Sequence, residues 1–292
     1  MINFTRAASL PLPRKAQFRI LRIVLGLVAG LGRIFQGPAS TPSTEADMGS
    51  YADGLTAYEA DDYATAFELW KPLAEQGNAD AQARLGDMYR LGQGIPRNYA
   101  EAREWYRKAA EQGHRVGQNN LGSMYSQGLG VTQDDTEALI WYRKAAKQGN
   151  AMAQLNLACM YYQGDGVTED YVEAAEWYSK AAEQGEPHSQ VGLAFMYWNG
   201  LGVPEDQVEA LNLFQKAAVQ GNTEAQANLG VIYAKGLGVP EDFVEAYIWL
   251  DLAGQSGDTV SAERRAFLAS LMTPAKIAEA QQRAWLWKSK TQ

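Results

Sequence analysis

The residue types that most often perform chemistry are few in this sequence, and they stand far apart. Cys159 is its one cysteine, which excludes an intramolecular disulfide and a cysteine-based zinc site. The two histidines, His114 and His188, lack the close spacing of a helical metal-binding motif. Acidic pairs such as Glu205 with Asp206 follow glycine-containing loops, where negative charge stabilises the start of a helix. We therefore predict no catalytic residue, no metal site, no cofactor and no enzymatic activity.

Five glycine-containing loops have a Gly-x-Gly spacing that phosphate-binding loops also use. None of them continues into Gly-Lys-Ser/Thr, and none extends to Gly-x-Gly-x-x-Gly. The paired glycines recur at one interval along the chain: Gly92 and Gly94, Gly128 and Gly130, Gly164 and Gly166, Gly200 and Gly202, Gly236 and Gly238. Such a recurrence indicates architecture, and paired glycines after a helix predict a loop with left-handed backbone.

These loops belong to a repeat of 36 residues. The motif KAAEQG, or a close variant, ends five complete repeats, which span 78–113, 114–149, 150–185, 186–221 and 222–257. In the first repeat, Ala81, Leu85 and Tyr89 form an apolar stripe at helical spacing, and Ala102 and Tyr106 begin a second one. Two helices with one apolar face each cannot bury both faces alone. Consecutive repeats must therefore stack.

The repeated residues follow a specific pattern. The second repeat carries it as Gly117, Leu121, Gly122, Tyr125, Gly128, Gly130, Val131, Asp134, Ala138, Trp141, Tyr142, Lys144, Ala145, Ala146 and Gly149. Over residues 78–257 this pattern resembles the Sel-1-like repeat, a relative of the tetratricopeptide repeat. The resemblance implies an all-α fold, a right-handed α-solenoid of stacked helix-turn-helix repeats whose first helices line a concave surface. It also implies an adaptor in envelope signalling, secretion or host contact.

The segments that flank the repeats differ from them. Residues 37–50 are rich in Pro, Ser and Thr, which predicts a flexible linker. Residues 51–77 resemble a shortened, tetratricopeptide-like first repeat unit. Residues 258–292 predict C-terminal capping helices, of which the second begins at Thr273 with Pro as its first helical residue.

The segment 1–36 combines positive charge with a short apolar run. Residues 1–40 contain six basic residues and no acid, and the apolar run at 23–32 is shorter than the roughly 20 residues of a membrane-spanning helix. One interpretation is a signal peptide cleaved before Ser40, and another is a basic amphipathic helix whose residues 15–35 contact a membrane surface. A disordered tail or an incorrectly assigned start is the third. We predict a bacterial protein that is exported (periplasmic or secreted) or membrane-anchored.

Composition and charge exclude several classes of protein. A hydrophobic share of 46% and a charged share of 21% are ordinary for a folded globular protein, and they argue against general disorder and a polytopic membrane protein. The formal net charge is −8, although the first 40 residues are basic. Nucleic-acid binding depends on neutralising phosphates with Lys and Arg. We therefore predict no nucleic-acid partner.

The residues that depart from the repeat indicate where function is located. By the resemblance, positions 3, 6, 10, 13 and 14 of each repeat face a ligand on the concave surface. These positions become apolar and aromatic in the third and fourth repeats, and we predict a partner-binding patch of Leu155, Tyr162, His188, Val191, Phe195, Trp198 and Asn199. Solvent-facing rings are typical of binding hot spots. The alternative is that superhelical curvature, the C-terminal cap or the N-terminal tail covers them.

The leading functional hypothesis is a non-enzymatic scaffold that binds a peptide or protein segment on its concave face, in the bacterial envelope. One alternative is a secreted cell-wall-related enzyme, since some relatives resemble penicillin-binding or β-lactam-hydrolysing proteins. Those relatives carry regularly spaced disulfide cysteines, which a chain with one cysteine does not have. The other alternative is a periplasmic regulator of a membrane signalling protein.

Overall fold

The computed structural model describes residues 45–291, and α-helix is the one regular secondary structure in that range. Fourteen helices follow one another there and divide into two compact units, Met1–Glu169 and Asp170–Gln292, called the N-terminal and C-terminal units below. The all-α class and the solenoid of helix pairs are confirmed. The segment predicted as a signal peptide or membrane-contacting helix lies outside the described residues.

Each unit contains seven of these helices. The N-terminal unit has α1 (Glu45–Glu59), α2 (Tyr63–Glu75), α3 (Ala79–Leu91), α4 (Tyr99–Glu111), α5 (Arg115–Gln127), α6 (Asp135–Lys147) and α7 (Ala151–Gln163). The C-terminal unit has α8 (Tyr171–Glu183), α9 (Pro187–Asn199), α10 (Gln207–Val219), α11 (Thr223–Lys235), α12 (Phe243–Gln255), α13 (Thr259–Ala269) and α14 (Pro274–Thr291).

The first helix extends into the predicted linker. The composition of 37–50 predicts flexible chain, whereas α1 already begins at Glu45. Glu, Ala and Met, which follow Ser and Thr there, have high helix propensity. The part of the predicted linker that the structure describes, residues 45–50, is therefore helical.

Every helix of the five repeats spans 13 residues and begins after a capping residue. The capping side chain accepts a hydrogen bond from a backbone N–H of the first turn, which satisfies a donor that has no partner within the helix. Asp206, for example, accepts from the N–H groups of Val208 and Glu209 at 3.0 Å each. The prediction that acids after the loops stabilise helix starts is confirmed at Asp206 and Asp242.

In four of the five loops, the second glycine lies against the backbone of the preceding helix pair, whereas Gly238 lies against the side chain of Gln207. A Cβ atom at Gly130 would lie 2.6 Å from the carbonyl carbon and oxygen of Tyr99, at the start of α4. Gly130 also has a φ of +67°, a conformation that side chains rarely adopt. Gly166 makes the same approach to Asp135, where the distance would be 2.5 Å. Only a residue without a side chain fits this position.

A glycine at position 9 lets the two helices of a pair approach in the first and second repeats. A Cβ atom at Gly86 would lie 2.4 Å from the ring of Tyr106, and one at Gly122 would lie 2.9 Å from the ring of Tyr142. Tyr106 is fully buried. The close helix approach predicted from the small residues is confirmed at both positions.

A buried glutamine at position 5 links each repeat to the helix before it. In every repeat its amide nitrogen donates to a main-chain carbonyl oxygen of the preceding helix, at 3.0 to 3.4 Å: Gln82, Gln118, Gln154, Gln190 and Gln226. Gln82 also accepts from Gln112, the glutamine at position 35, at 2.7 Å. Sequence reasoning missed this link, although the same residue stands at this position in all five repeats.

The two predicted capping helices, α13 and α14, both pack against α12. Arg265 of α13 forms an ion pair with Asp251, and the rings of Trp249 and Trp287 meet edge to face at 6.0 Å. The second capping helix begins at Pro274 as predicted. No helix within residues 45–291 combines the length and apolar character of a membrane span.

The loop contact predicts that replacing Gly130 by alanine lowers the unfolding free energy more than the same change at Gly149. Gly149 has a φ of +79°, but no atom lies within 4 Å of the place that a Cβ would take, so Gly149→Ala meets backbone strain alone, about 1–2 kcal/mol. Gly130→Ala adds an overlap with Tyr99, and we expect its loss of unfolding free energy to reach about 3 kcal/mol or more. Urea denaturation of the two variants measures this. Equal losses would contradict a steric role for the loop.

Candidate protein-interaction surface

The seven residues of the predicted patch belong to two helices in different compact units. Leu155 and Tyr162 lie on α7 of the N-terminal unit. The other five residues lie on α9 of the C-terminal unit: His188, Val191, Phe195, Trp198 and Asn199.

Three of the seven side chains are buried, so their predicted exposure is wrong. Leu155 is 0% exposed, Val191 3% and Tyr162 7%. On α7, the buried residues extend well beyond the stripe at positions 4, 8 and 12 and include polar Gln154. The packed arc of this helix is therefore wider than one apolar stripe, and it includes positions 6 and 13. Leu155, Tyr162 and Val191 are core residues.

The aromatic residues of α9 retain accessible surface. Phe195 and Trp198 are half-buried, and Asn199 is exposed. The ring of Phe195 meets the buried ring of Phe214 edge to face, with 5.3 Å between their centroids. The amide nitrogen of Asn199 donates to the carbonyl oxygen of Phe195 at 2.7 Å. Phe195 thus packs against a buried ring and keeps part of its surface accessible.

His188, at the start of α9, is influenced by two acidic side chains, Glu186 and Glu224. Its Nδ1 is 2.9 Å from Oε1 of Glu186, and Glu186 also accepts from the backbone N–H groups of His188 and Ser189. Burial opposes charging of the imidazole, but the hydrogen bond and charge of Glu186, together with the charge of Glu224, raise the pKa of His188. Burial likewise opposes ionisation of Glu186, yet its bonds to His188 and Ser189 lower its pKa.

Glu224 completes this charged group from α11. Burial raises the pKa of its carboxyl group, and the positive charge of His188 acts in the opposite direction. A charged imidazole therefore stabilises an ionised Glu186 and reduces the cost of ionising Glu224. The arrangement places an imidazole whose charged form is favoured, together with its carboxylate partner Glu186, at the start of the helix that carries Phe195 and Trp198.

A polar row lies on the first helices of the N-terminal unit. Oδ1 of Asp87 accepts from the hydroxyl of Tyr106 at 2.6 Å and from the amide of Asn120 at 3.2 Å. The amide of Asn119 donates to Asn120 at 3.1 Å, and Asn156 donates to Asn119 at 3.2 Å. We call Arg84, Asp87, Asn119, Asn120 and Asn156 the polar row.

Sequence reasoning placed only part of the polar row on the ligand face. Asn120 and Asn156 stand at position 7, which the resemblance did not assign to that face, and so does Arg84. The signal that could have found them is the absence of a recurring apolar residue at position 7. All three are half-buried rather than core.

The remaining histidine, His114, caps a helix, and the cysteine lies within one. His114 caps α5 by accepting from the N–H of Gly117 through Nδ1 at 3.1 Å, and its Nε2 is 3.0 Å from Asp80. Cys159 is half-buried on α7. Across residues 45–291, no group of three or more His, Cys, Asp or Glu side chains is arranged to hold a metal ion.

Helix pairs of constant length, linked by the same contacts in each repeat, define a helical repeat protein. The family model of the Sel1 repeat matches six segments, 42–78, 79–114, 116–150, 151–186, 187–222 and 223–258. The chain therefore belongs to the Sel1 repeat family, whose members are generally non-catalytic scaffolds for protein interaction. The match at 42–78 adds a sixth repeat where we predicted a shortened, tetratricopeptide-like unit.

Solved structures resemble this chain over most of its length. A Sel1 repeat protein from Oxalobacter formigenes is 30% identical, with a TM-score of 0.70 over 83% of this chain and 96% of the other. A protective antigen with an SLR fold from uropathogenic Escherichia coli is 28% identical, with a TM-score of 0.49 over 92% and 72%. An immunity protein from Pseudomonas aeruginosa is 20% identical, with a TM-score of 0.47 over 74% and 83%. Comparison with curated proteins gives no match.

The charged group at His188 predicts a pH-dependent stability. A raised pKa means that His188 stabilises the fold below its ordinary pKa of about 6.5 and loses this contribution as the pH rises through the folded-state value. We therefore expect His188→Gln to lower the unfolding free energy at about pH 6, and the gap from the unsubstituted protein to narrow by about pH 9. Because His114 is present in both proteins, the difference curve reports His188. Parallel curves across this range would contradict the assignment.

Proposed function

We propose that this protein is a non-enzymatic scaffold that binds a peptide or protein segment through the first helices of its repeats. Phe195 and Trp198 carry this proposal, because they depart from the repeat and yet retain accessible surface. In core positions of the same repeat, Leu213 and Phe214 are buried. Aromatic rings held in place but left open to solvent are typical of interaction hot spots.

The energetics of such a contact favour these two residues. A ring that is already supported by the protein loses little conformational freedom when a partner covers it. Phe195 has this support from Phe214, and burial of the remaining ring surfaces of Phe195 and Trp198 contributes on the order of 1–3 kcal/mol to binding. His188 and Asn199, at the two ends of the helix that carries these rings, add polar groups that a partner could contact.

The double variant Phe195→Ala/Trp198→Ala tests the binding surface. We expect it to remain helical by circular dichroism and to lose only about 1–2 kcal/mol of unfolding free energy, since neither ring is fully buried. Proteins retained by the immobilised protein from extracts of native cells should be lost by this variant. The matched control is Val208→Ala on α10, whose side chain is 68% exposed on a second helix.

Two outcomes would refute this surface. A loss of several kcal/mol in stability would identify the rings as core residues, and unchanged retention by a folded double variant would locate partner binding elsewhere.

We also propose that the protein is exported or membrane-anchored in a bacterium. The support is the sequence of residues 1–40, which has six basic residues, no acid and a short apolar run before Ser40. Intact-mass measurement of the protein from fractionated native cells tests it. We expect either a chain that begins near Ser40 in the periplasmic or secreted fraction, or a full-length chain in the membrane fraction. A full-length chain confined to the cytosolic fraction would refute the proposal.

A further inference from the structure

Arg84 is a half-buried cation that forms no ion pair with an acid among the described residues. Its Nε–H donates only a long hydrogen bond, 3.4 Å, to the hydroxyl of Tyr51, and its guanidinium lies 5.9 Å from the centroid of the Trp70 ring. Asp87 is close enough to act on it electrostatically. A guanidinium has five N–H donors in a fixed planar arrangement. The four N–H groups other than Nε–H form no hydrogen bond with the described residues.

The nearby carboxylate of Asp87 is already engaged. Its Oδ1 accepts from Tyr106 and Asn120 and lies 3.7 Å from the guanidinium of Arg90. Arg90 also donates to the hydroxyl of Tyr106 at 3.1 Å. Asp87 is therefore neutralised by Arg90 within the protein, and this end of the polar row keeps one positive charge, that of Arg84.

The rest of the polar row consists of amides. Asn119, Asn120 and Asn156 are half-buried and joined by hydrogen bonds across three successive first helices, α3, α5 and α7, with Asp87 at one end. An asparagine amide can donate to a peptide carbonyl and accept from a peptide N–H, so a row of them suits an extended main chain. A planar guanidinium suits a carboxylate, which it can bind through two hydrogen bonds.

We propose that the polar row binds an extended peptide segment and that Arg84 pairs with a carboxylate of that peptide. The inference rests on the proposed function, since it assigns the chemistry of a partner segment to the first helices of the N-terminal unit. The carboxylate belongs to an Asp or Glu side chain or to a peptide C-terminus. The net charge of −8 opposes the approach of an acidic ligand, so a carboxylate bound at the polar row requires a local cation, which Arg84 supplies.

The test uses the full-length protein and fluorescent pools of nine-residue peptides that are random except for the central residue, fixed as Glu, Gln or Lys. Each pool is prepared with a free and with an amidated C-terminus, which separates the two sources of carboxylate. We expect the protein to prefer the Glu pool over the Gln pool, or the free over the amidated terminus, by about tenfold. Arg84→Gln should abolish this preference, and Arg84→Lys should reduce it.

The matched control is Arg97→Gln. Arg97 lies in an exposed loop of the same unit, with its guanidinium 5.4 Å from the centroid of the Tyr99 ring, so this variant removes one positive charge away from the polar row. Circular dichroism and thermal melting of all variants separate loss of binding from loss of folding, because Arg84 also packs against Trp70. We expect Arg97→Gln to keep the carboxylate preference.

The outcomes separate this inference from the proposed function. If the unsubstituted protein bound all peptide pools with equal affinity, the carboxylate preference would be refuted and peptide binding would still stand. A preference that persists in folded Arg84→Gln, or disappears in Arg97→Gln, would refute the site. If the protein bound none of the peptide pools, acidic-peptide binding at the polar row would be refuted. The proposed function would then be decided by whether Phe195→Ala/Trp198→Ala loses the proteins captured from native cells.

Discussion

The contact between a loop glycine and the main chain of the preceding repeat is the constraint on which the stacking depends. Gly130 occupies a place where any Cβ atom would overlap Tyr99, and its backbone is left-handed as well. The contact is made by backbone atoms, so it sets the spacing between repeats without depending on variable side chains. The same approach recurs at Gly94 against Tyr63 and at Gly202 against Tyr171. Because stacking is secured in this way, side chains on the first helices are free to differ between repeats.

Buried glutamines add a polar link that penalises incorrect stacking. An unpaired buried amide costs about 1–3 kcal/mol, so Gln118 favours the one arrangement in which its nitrogen reaches the carbonyl oxygen of Ala110. The fifth repeat marks the end of this series. At position 35, where the glutamine of an earlier repeat donates to the glutamine at position 5, the fifth repeat has Ser256. Oε1 of Gln226, at position 5 of this repeat, is buried with no hydrogen-bond partner among the described residues. Beyond this point α13 and α14 take the place of a further repeat.

The variable positions give the two compact units surfaces of different chemistry. In the N-terminal unit, hydrogen bonds join Asp87, Asn120 and Asn119, and the charge of Asp87 acts on Arg84 of the same polar row. In the C-terminal unit, Phe195 and Trp198 share α9 with the charged group at His188. A hydrogen-bonding surface selects a ligand by geometry and charge, whereas an aromatic surface contributes apolar burial. A family with one backbone architecture can bind different partners through such substitutions alone.

The sequence by itself determined the repeat, the helix pairs, the acids at the starts of the second helices and the small residues at close helix contacts, because each depends on local backbone geometry that recurs with the period. It also identified Phe195 and Trp198 as departures from that period. Only the tertiary structure decided which departures face solvent: Leu155 and Val191 are core residues because their helices pack on a wider arc than one stripe. The polar row likewise joins side chains from different helices, and hydrogen bonds between repeats leave no spacing signal within one repeat.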